Sequence, residues 1–367
     1  MTIGVLTTSF PRHPGDFAGC FVEDAVRGLA ASGAAVEVIA AGDVREGVIS
    51  VESRPDLGAA VTVHRIAVSP AGTATPLFYG PGAPEALEQG GAEAWRQAVT
   101  FWAGLCRAVH ARRSTWERVE AHWLVPCALA VRAAAPQLRW RAYAHSGDVA
   151  LLERLPGGAA LARYLSRGGG DLRFASNNLR MRFSRLVTGA VASANALNPI
   201  DAAAPVDVSP LERQQARRAL HLRGRTLLSV GRLVPIKGFD VLVRAAAIAA
   251  TPGAEPSMVV ILGDGPERPR LERLAHRLNV NLRLPGFVPR AEVARWMTGA
   301  DLYVQPSRPL RSGRTEGLPV ATREALSLGL PVVASATGGL AELPHAPPRL
   351  RLVRPDDHMA LAACLRA

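Results

Sequence analysis

The chain has 367 residues, 48% of them hydrophobic and 20% charged, with a net charge of +12. That length exceeds what one hydrophobic core usually serves, so two domains are expected, and the composition excludes a disordered chain. No apolar run reaches the ~18–20 residues of a membrane span, and Cys20, Cys106, Cys127 and Cys364 form no C-x-x-C pair, against a disulfide framework or a zinc site.

Strand and helix signals alternate from the start, the pattern of a doubly wound α/β domain. Ile3–Thr7 reads as a first strand, with no basic segment of a secretory leader before it, so a cytoplasmic, reduced protein is expected. Phe21–Ser32 has helical spacing and stops at Gly33. Val36–Ala40 and Val61–Ile66 read as strands, Ala92–Arg112 as a long amphipathic helix and Val119–His122 as a short strand. A helix over Trp123–Ala135 and a strand over Trp140–Ala144 then lead into His145. Phe174–Ser176 and Ala190–Ala192 read as strands flanking a helix. Pro199, Pro205 and Pro210 break the alternation before a helical Leu211–Leu220. A linker is expected near 198–208, with domains at 1–200 and 201–367. A second series follows: strands at Thr226–Val230, Met258–Leu262, Leu282–Leu284, Leu302–Gln305 and Pro331–Ala334, and helices at Phe239–Ala250, Pro269–Leu278, Ala291–Thr298 and Pro319–Ser327, with a helix start at Asp356-Asp357. Two such halves facing each other would bind ligand in the crevice beyond the carboxyl ends of their strands.

The residues that carry chemistry cluster in the second series. The strand ending at Val230 runs into Gly231-Arg232, with Lys237-Gly238 in the turn before the next helix. Of the 43 Lys and Arg residues Lys237 alone is lysine, a compact point charge where arginine is a wide planar fork. Two fixed cations at a strand's carboxyl end suit a diphosphate, as ligand and as leaving group; a βα turn with incidental surface cations reads equally well. Gly263-Asp264-Gly265-Pro266 follows the next strand and permits a sharp turn with close backbone approach. Gly286-Phe287-Val288 reads equally as backbone set against a flat base and as an ordinary loop. In Glu316-Gly317-Leu318-Pro319, the proline fits a helix first turn, which places the Gly317 and Leu318 amides as an anion site. Glu316 would meet sugar hydroxyls and Glu324 a ribose. Taken singly, Glu316 reads as an acidic residue favouring a helix N-terminus and Glu324 as a solvated helix residue.

Together these stretches, from about Leu227 to Glu342, resemble the retaining glycosyltransferases of GT-B fold known as group 1 or family 4. The resemblance also takes in Ala300-Asp301-Leu302, Pro306-Ser307, Gly329-Leu330-Pro331-Val332-Val333-Ala334 and Gly338-Gly339 before Glu342. In the first half it is looser: Ser9-Phe10-Pro11 with Gly15 and Gly19, Ala121-His122-Trp123 with Pro126, Ala144-His145-Ser146-Gly147-Asp148, Ser176 with Leu179-Arg180, and Asn198-Pro199-Ile200-Asp201, which has proline where the family commonly has glycine. Many members continue into a helix that crosses back to the first domain, whereas this chain ends soon after Leu365.

The resemblance implies an α/β protein of two Rossmann-like domains facing a central cleft. Arg232, Lys237, Glu316 and His145 would act on the reacting groups, His145 beside the transferring sugar. Gly15, Gly19, Gly231, Gly263, Gly265, Val288, Gly317, Leu318 and Glu324 would bind the donor, a UDP- or GDP-linked sugar. No metal or other cofactor is expected, since the family needs none for donor binding and no Asp-x-Asp pair occurs. His122 reads as a supporting group, and Asp16 as either an acceptor contact or a turn cap. The acceptor would be a cell-surface polysaccharide, a lipid-linked sugar or a small molecule. The dispersed cations fit either a solvated surface or peripheral attachment to the anionic inner face of the cell membrane; no nucleic-acid-binding motif occurs. A sugar-nucleotide epimerase and a non-catalytic sugar-nucleotide-binding subunit are the alternatives. A nicotinamide dehydrogenase is disfavoured, because neither half shows G-x-G-x-x-G after its first strand.

Overall fold

The computed structural model describes all residues except 14–15, 17, 43–49, 69–76, 80–85, 88–89, 188–194, 197–207, 251–256, 312, 343–348 and 367. Gly15, Ala190–Ala192 and Asn198-Pro199-Ile200-Asp201 therefore lie outside the described residues. The chain divides into two compact units, Met1–Leu197 and Asn198–Ala367.

The first unit is built on an eight-stranded sheet. In chain order it comprises β1 (Thr2–Leu6), α1 (Cys20–Ala31), β2 (Ala35–Gly42), β3 (Ser50–Ser53), β4 (Val61–Ala67), α2 (Gly91–Arg112), β5 (Arg118–His122), α3 (Leu129–Ala134), β6 (Arg139–Ala144), α4 (Gly147–Arg154), α5 (Gly158–Ser166), β7 (Asp171–Phe174), α6 (Asn177–Val187) and β8 (Asn195–Ala196). The strand order is β3-β4-β2-β1-β5-β6-β7-β8, parallel except for the β3–β4 pair. Alternate residues of the inner strands serve opposite faces. Ile3 and Val5 pack with Val22 and Val26 of α1, while Leu6 packs with Phe101 and Leu105 of α2. Helices on both faces of a parallel sheet make its strands nearly continuous apolar runs.

Three expectations are corrected here. The helix expected from Trp123 is regular only over Leu129–Ala134. Trp123 has φ +88°, Leu124–Ala128 forms a wider π-type turn, and the Val125-Pro126 peptide is cis. A proline at Pro126 removes an amide and bars its predecessor from helical backbone, so the first turn cannot close. The strand expected at Phe174–Ser176 lies at Asp171–Phe174, because Leu172 and Phe174 alternate inward and Ser176 Oγ instead accepts the Leu179 amide at the start of α6 (3.2 Å). Two helices, α4 and α5, occupy the stretch between β6 and β7, where none was expected.

The second unit carries a six-stranded, all-parallel sheet in the order β11-β10-β9-β12-β13-β14. Its elements are α7 (Pro210–Ala219), β9 (Thr226–Val230), α8 (Phe239–Ala249), β10 (Met258–Leu262), α9 (Arg268–Arg277), β11 (Leu282–Gly286), α10 (Arg290–Gly299), β12 (Leu302–Gln305), α11 (Val320–Ser327), β13 (Val332–Ser335), β14 (Leu350–Val353) and α12 (His358–Arg366). α7 opens with a full capping box, Ser209 and Glu212 each satisfying the other's backbone amide. Leu227, Val259, Ile261, Leu302 and Val304 face one core with α8 and α12, and Leu228, Val260, Leu262 and Tyr303 face the other with α10 and α11. Asp301 ties α7 to the sheet by accepting from Arg213 (2.6 Å), Arg217 (3.0 Å) and the Thr226 amide (2.8 Å). Among the described residues no helix is long and apolar enough to cross a membrane.

Candidate functional site

In the second unit the loops after β9, β10 and β11 are joined backbone to backbone. The Gly231 amide donates to Leu262 O (2.9 Å), the Leu233 amide to Asp264 O (2.9 Å) and the Gly263 amide to Gly286 O (2.8 Å). Gly263 has φ +132°, and a β-carbon there would lie 2.1 Å from Gly231 O; no other residue allows that approach. Gly263 and Gly265 thus fit these loops together, and the side chain of Asp264 turns away to Arg268 (3.0 Å), which holds its carboxyl below the usual range.

Lys237 ends the 3₁₀ turn Pro235–Lys237, and its side chain lies across Gly231, where a β-carbon would come 2.8 Å from Cε. Its Nζ sits 2.6 Å from Glu316 Oε1, both side chains being mostly buried. The two residues expected to act on diphosphate and sugar are therefore each other's partners. Arg232, in the loop between β9 and this turn, is partly buried. Glu316 is further held through its other oxygen: Gln305 Nε2 donates to Oε2 (3.2 Å), as does the Ser307 hydroxyl. Sequence reasoning gave neither Gln305 nor Ser307 a role. The available signal was polar residues at 303, 305 and 307 in an otherwise apolar strand.

The helix expected from Pro319 begins at Val320, with Pro319 before it at ψ 126°. The Gly317 and Leu318 amides therefore precede the helix rather than open it. The Gly339 amide donates to Gly317 O (2.9 Å), and Gly338, at φ +56°, fits a site where a β-carbon would lie 1.9 Å from Glu316 O. This clamp fixes the peptide after Glu316. Neither amide donates to an acceptor among the described residues. Glu324 is paired with Arg290 (2.6 Å), the first residue of α10, two positions beyond Val288. Val288 itself packs against the α10–α11 core.

In the first unit, His145 follows β6 in a cluster of rings. Its ring centroid lies 4.8 Å from Phe21 and 4.8 Å from Trp123, and its Nε2 is 3.4 Å from Nδ1 of His122, the two imidazoles stacking at 10°. Burial lowers the pKa of His145 to about 4, and burial followed by the His145 charge lowers that of His122 well below its ordinary value. Asp148 fastens the turn by accepting the amides of Leu124 (2.8 Å), His145 (3.1 Å) and Val149 (3.0 Å). Burial pushes its carboxyl up to about 6 against the pull of those amides. Gly19 opens α1 at φ +75°, where a β-carbon would lie 2.1 Å from Ser9 O. Asp16 binds Arg12 (2.7 Å) and the Ala18 amide (3.1 Å); burial opposes its ionisation, yet these bonds keep its carboxyl below the usual range. Asp16 is thus engaged within its own loop. Among the described residues, no three His, Cys, Asp or Glu side chains converge as a metal site would require.

Residues 224–367 match the family model of the glycosyl transferases group 1. The putative colanic acid biosynthesis glycosyltransferase WcaL of Salmonella typhimurium is 36% identical over 141 residues, 38% of this chain and 34% of that protein. A GDP-mannose-dependent alpha-(1-6)-phosphatidylinositol monomannoside mannosyltransferase of Mycobacterium tuberculosis is 31% identical over 192 residues, 51% of this chain and 49% of that protein. The chain thus spans about a third to a half of the length of the curated relatives it matches. The sucrose-phosphate synthase structure from Thermosynechococcus elongatus has TM-score 0.72 at 20% identity, covering 100% of this chain and 88% of that one. Anabaena HepE in complex with UDP has TM-score 0.67 at 19% identity, covering 100% and 89%. The fold, two Rossmann-like units, is that of the GT-B glycosyltransferases. The likeness to the group 1 glycosyl transferases is carried by residues 224–367, the likeness in fold by both units.

The ring cluster makes a direct prediction. In a histidine-ring NMR titration His145 is expected to stay neutral to about pH 4. Between pH 6.5 and that value the unfolded chain takes up a proton that folded His145 refuses, so this group destabilises the fold as pH falls through the window. A His145 midpoint near 6.5 would contradict the packing described.

Proposed function

We propose that the protein is a retaining glycosyltransferase that moves a sugar from a UDP- or GDP-linked donor to an acceptor hydroxyl. The observation that carries this reading is the Lys237–Glu316 pair at the carboxyl ends of β9 and β12, beside the clamped Gly317-Leu318 peptide. It is supported by the group 1 match and by relatives whose names specify glycosyl transfer. In this reading Lys237 and Arg232 bind the diphosphate, with the Gly317 and Leu318 amides adding N–H donors. Glu316 binds the sugar, and Glu324, once released by Arg290, the ribose. Gly19, Gly231, Gly263, Gly265 and Val288 shape the loops around the donor.

The chemistry asked of these residues is electrostatic. The bond from the anomeric carbon to the β-phosphate oxygen breaks, and the cations stabilise the charge that collects on the diphosphate. The acceptor oxygen bonds to the same carbon on the face that the leaving group vacates, and its proton passes to the departing phosphate oxygen. Nucleoside diphosphate and a glycoside of retained configuration result. His145, neutral at physiological pH, would hydrogen-bond the transferring sugar without adding charge. With two cations on the diphosphate, the reaction has no need of a metal ion. The relatives' names, which include a colanic acid enzyme and a phosphatidylinositol mannoside enzyme, together with the net charge of +12, support a polysaccharide or lipid-linked acceptor at an anionic membrane face.

Lys237→Ala is expected to lower kcat at least a hundredfold, about 2.7 kcal/mol of transition-state stabilisation, in a protein that stays folded with a lowered unfolding midpoint, because Glu316 loses its cation. Near-normal turnover in the folded variant would remove the phosphate assignment. Turnover is further expected to survive excess EDTA and to rise with anionic vesicles at low salt. Loss of turnover in the chelator, restored by a divalent ion, would overturn the metal-free mechanism, and indifference to vesicles would overturn the membrane assignment.

A further inference from the structure

Tyr303, Gln305 and Ser307 alternate along β12 and just past it, and Thr322 of α11 joins them. All four are at most 1% exposed. Buried hydroxyls and amides cost free energy unless paired, and here the pairing has a direction. The Tyr303 and Thr322 hydroxyls both donate to Gln305 Oε1, at 2.8 and 3.4 Å. That fixes the amide with its hydrogens toward Ser307 Oγ (2.7 Å) and Glu316 Oε2 (3.2 Å). Ser307, accepting from Gln305, gives its own hydrogen to the same carboxylate oxygen. Two donors thus engage Oε2, and Oε1 is left to Lys237.

We propose that Oε1 is the exchangeable half of this carboxylate. When the donor's diphosphate draws the Lys237 ammonium, Oε1 passes from Lys237 to a hydroxyl of the donor sugar. Gln305 and Ser307 are positioning residues that hold the carboxylate through the exchange. A nucleoside diphosphate alone competes for Lys237 and offers nothing to Oε1, whereas a nucleotide sugar supplies the replacement. The sugar therefore adds affinity only if Glu316 stays in place. This inference rests on the nucleotide-sugar reading of the site.

The test compares wild type, Ser307→Ala and Ser307→Thr by calorimetry with UDP, UDP-glucose, GDP and GDP-mannose. Lys237, as the chain's one lysine, can be ¹³C-methylated to give a single side-chain NMR signal that reports diphosphate arrival. Ser307→Ala is expected to keep nucleoside diphosphate affinity within about twofold and to lose roughly tenfold in affinity for the nucleotide sugar, one charge-assisted hydrogen bond's worth. Ser307→Thr, which keeps the hydroxyl, should restore it. Should Ser307→Ala not fold, Gln305→Met, which at similar size removes the amide that donates to Ser307 and Glu316, is read the same way. Equal losses for diphosphate and nucleotide sugar, or no loss for either, would overturn the exchange and leave the donor site standing. A wild-type protein that binds none of the four, with the Lys237 signal unmoved, would refute the donor site itself and the exchange with it.

Discussion

An ammonium and a carboxylate from two different βα loops meet at 2.6 Å in the second unit, and much of the surrounding sequence serves that meeting. Taking two charges largely out of water is costly unless their geometry is held and their remaining hydrogen-bonding capacity is met. Gly231 leaves the space that the Lys237 side chain crosses. Gly238, at φ +64°, fits against Pro306 O, where a β-carbon would lie 2.0 Å away. Gly338 fits against the Glu316 carbonyl, and Gln305 and Ser307 satisfy the second carboxylate oxygen. The glycines of the motif thus act less as ligands than as clearances that let backbone and charge approach.

The one lysine of an arginine-rich chain stands at this meeting. Its ammonium is a compact point charge on a slim stem that lies across Gly231, whereas a guanidinium is planar and wide. On the proposed reading the pair also grades anionic ligands: one that brings only charge for the lysine competes with Glu316, and one that also brings a partner for the carboxylate binds more tightly. In the first unit the chemistry is of another kind. His145 and His122 are neutral because they are packed among rings and each other, a setting for hydrogen bonding rather than for charge.

Five of the six strands of the second sheet were legible, and β14 at its edge was not. Thr226–Val230, Met258–Leu262 and Leu302–Gln305 are strands over the same residues in sequence and structure, because parallel strands covered on both faces read as apolar runs bounded by Gly and Pro. The edge strand β3, Ser-Val-Glu-Ser, has no such pattern, and α4 and α5 are short, begin at glycine and make no side-chain cap bond. The motif residues of the candidate site were legible as a set, but not their pairing. The contacts of Lys237 with Glu316, and of Arg290 with Glu324, join residues far apart in the chain and leave no local periodicity to read. Local pattern reports which face a side chain takes, and only the assembled sheet brings two loop ends together.

The central claim, that the second unit binds a nucleotide diphosphate sugar through Lys237, is tested most directly by thermal unfolding of wild type and Lys237→Ala against a panel of nucleotide sugars. A ligand at a hundred times its dissociation constant stabilises the folded state by about 2.7 kcal/mol. The account predicts a clear upward shift of the wild-type midpoint with at least one UDP- or GDP-linked sugar and its loss in Lys237→Ala. An equal shift in both proteins, or no shift in wild type with any donor, would contradict it.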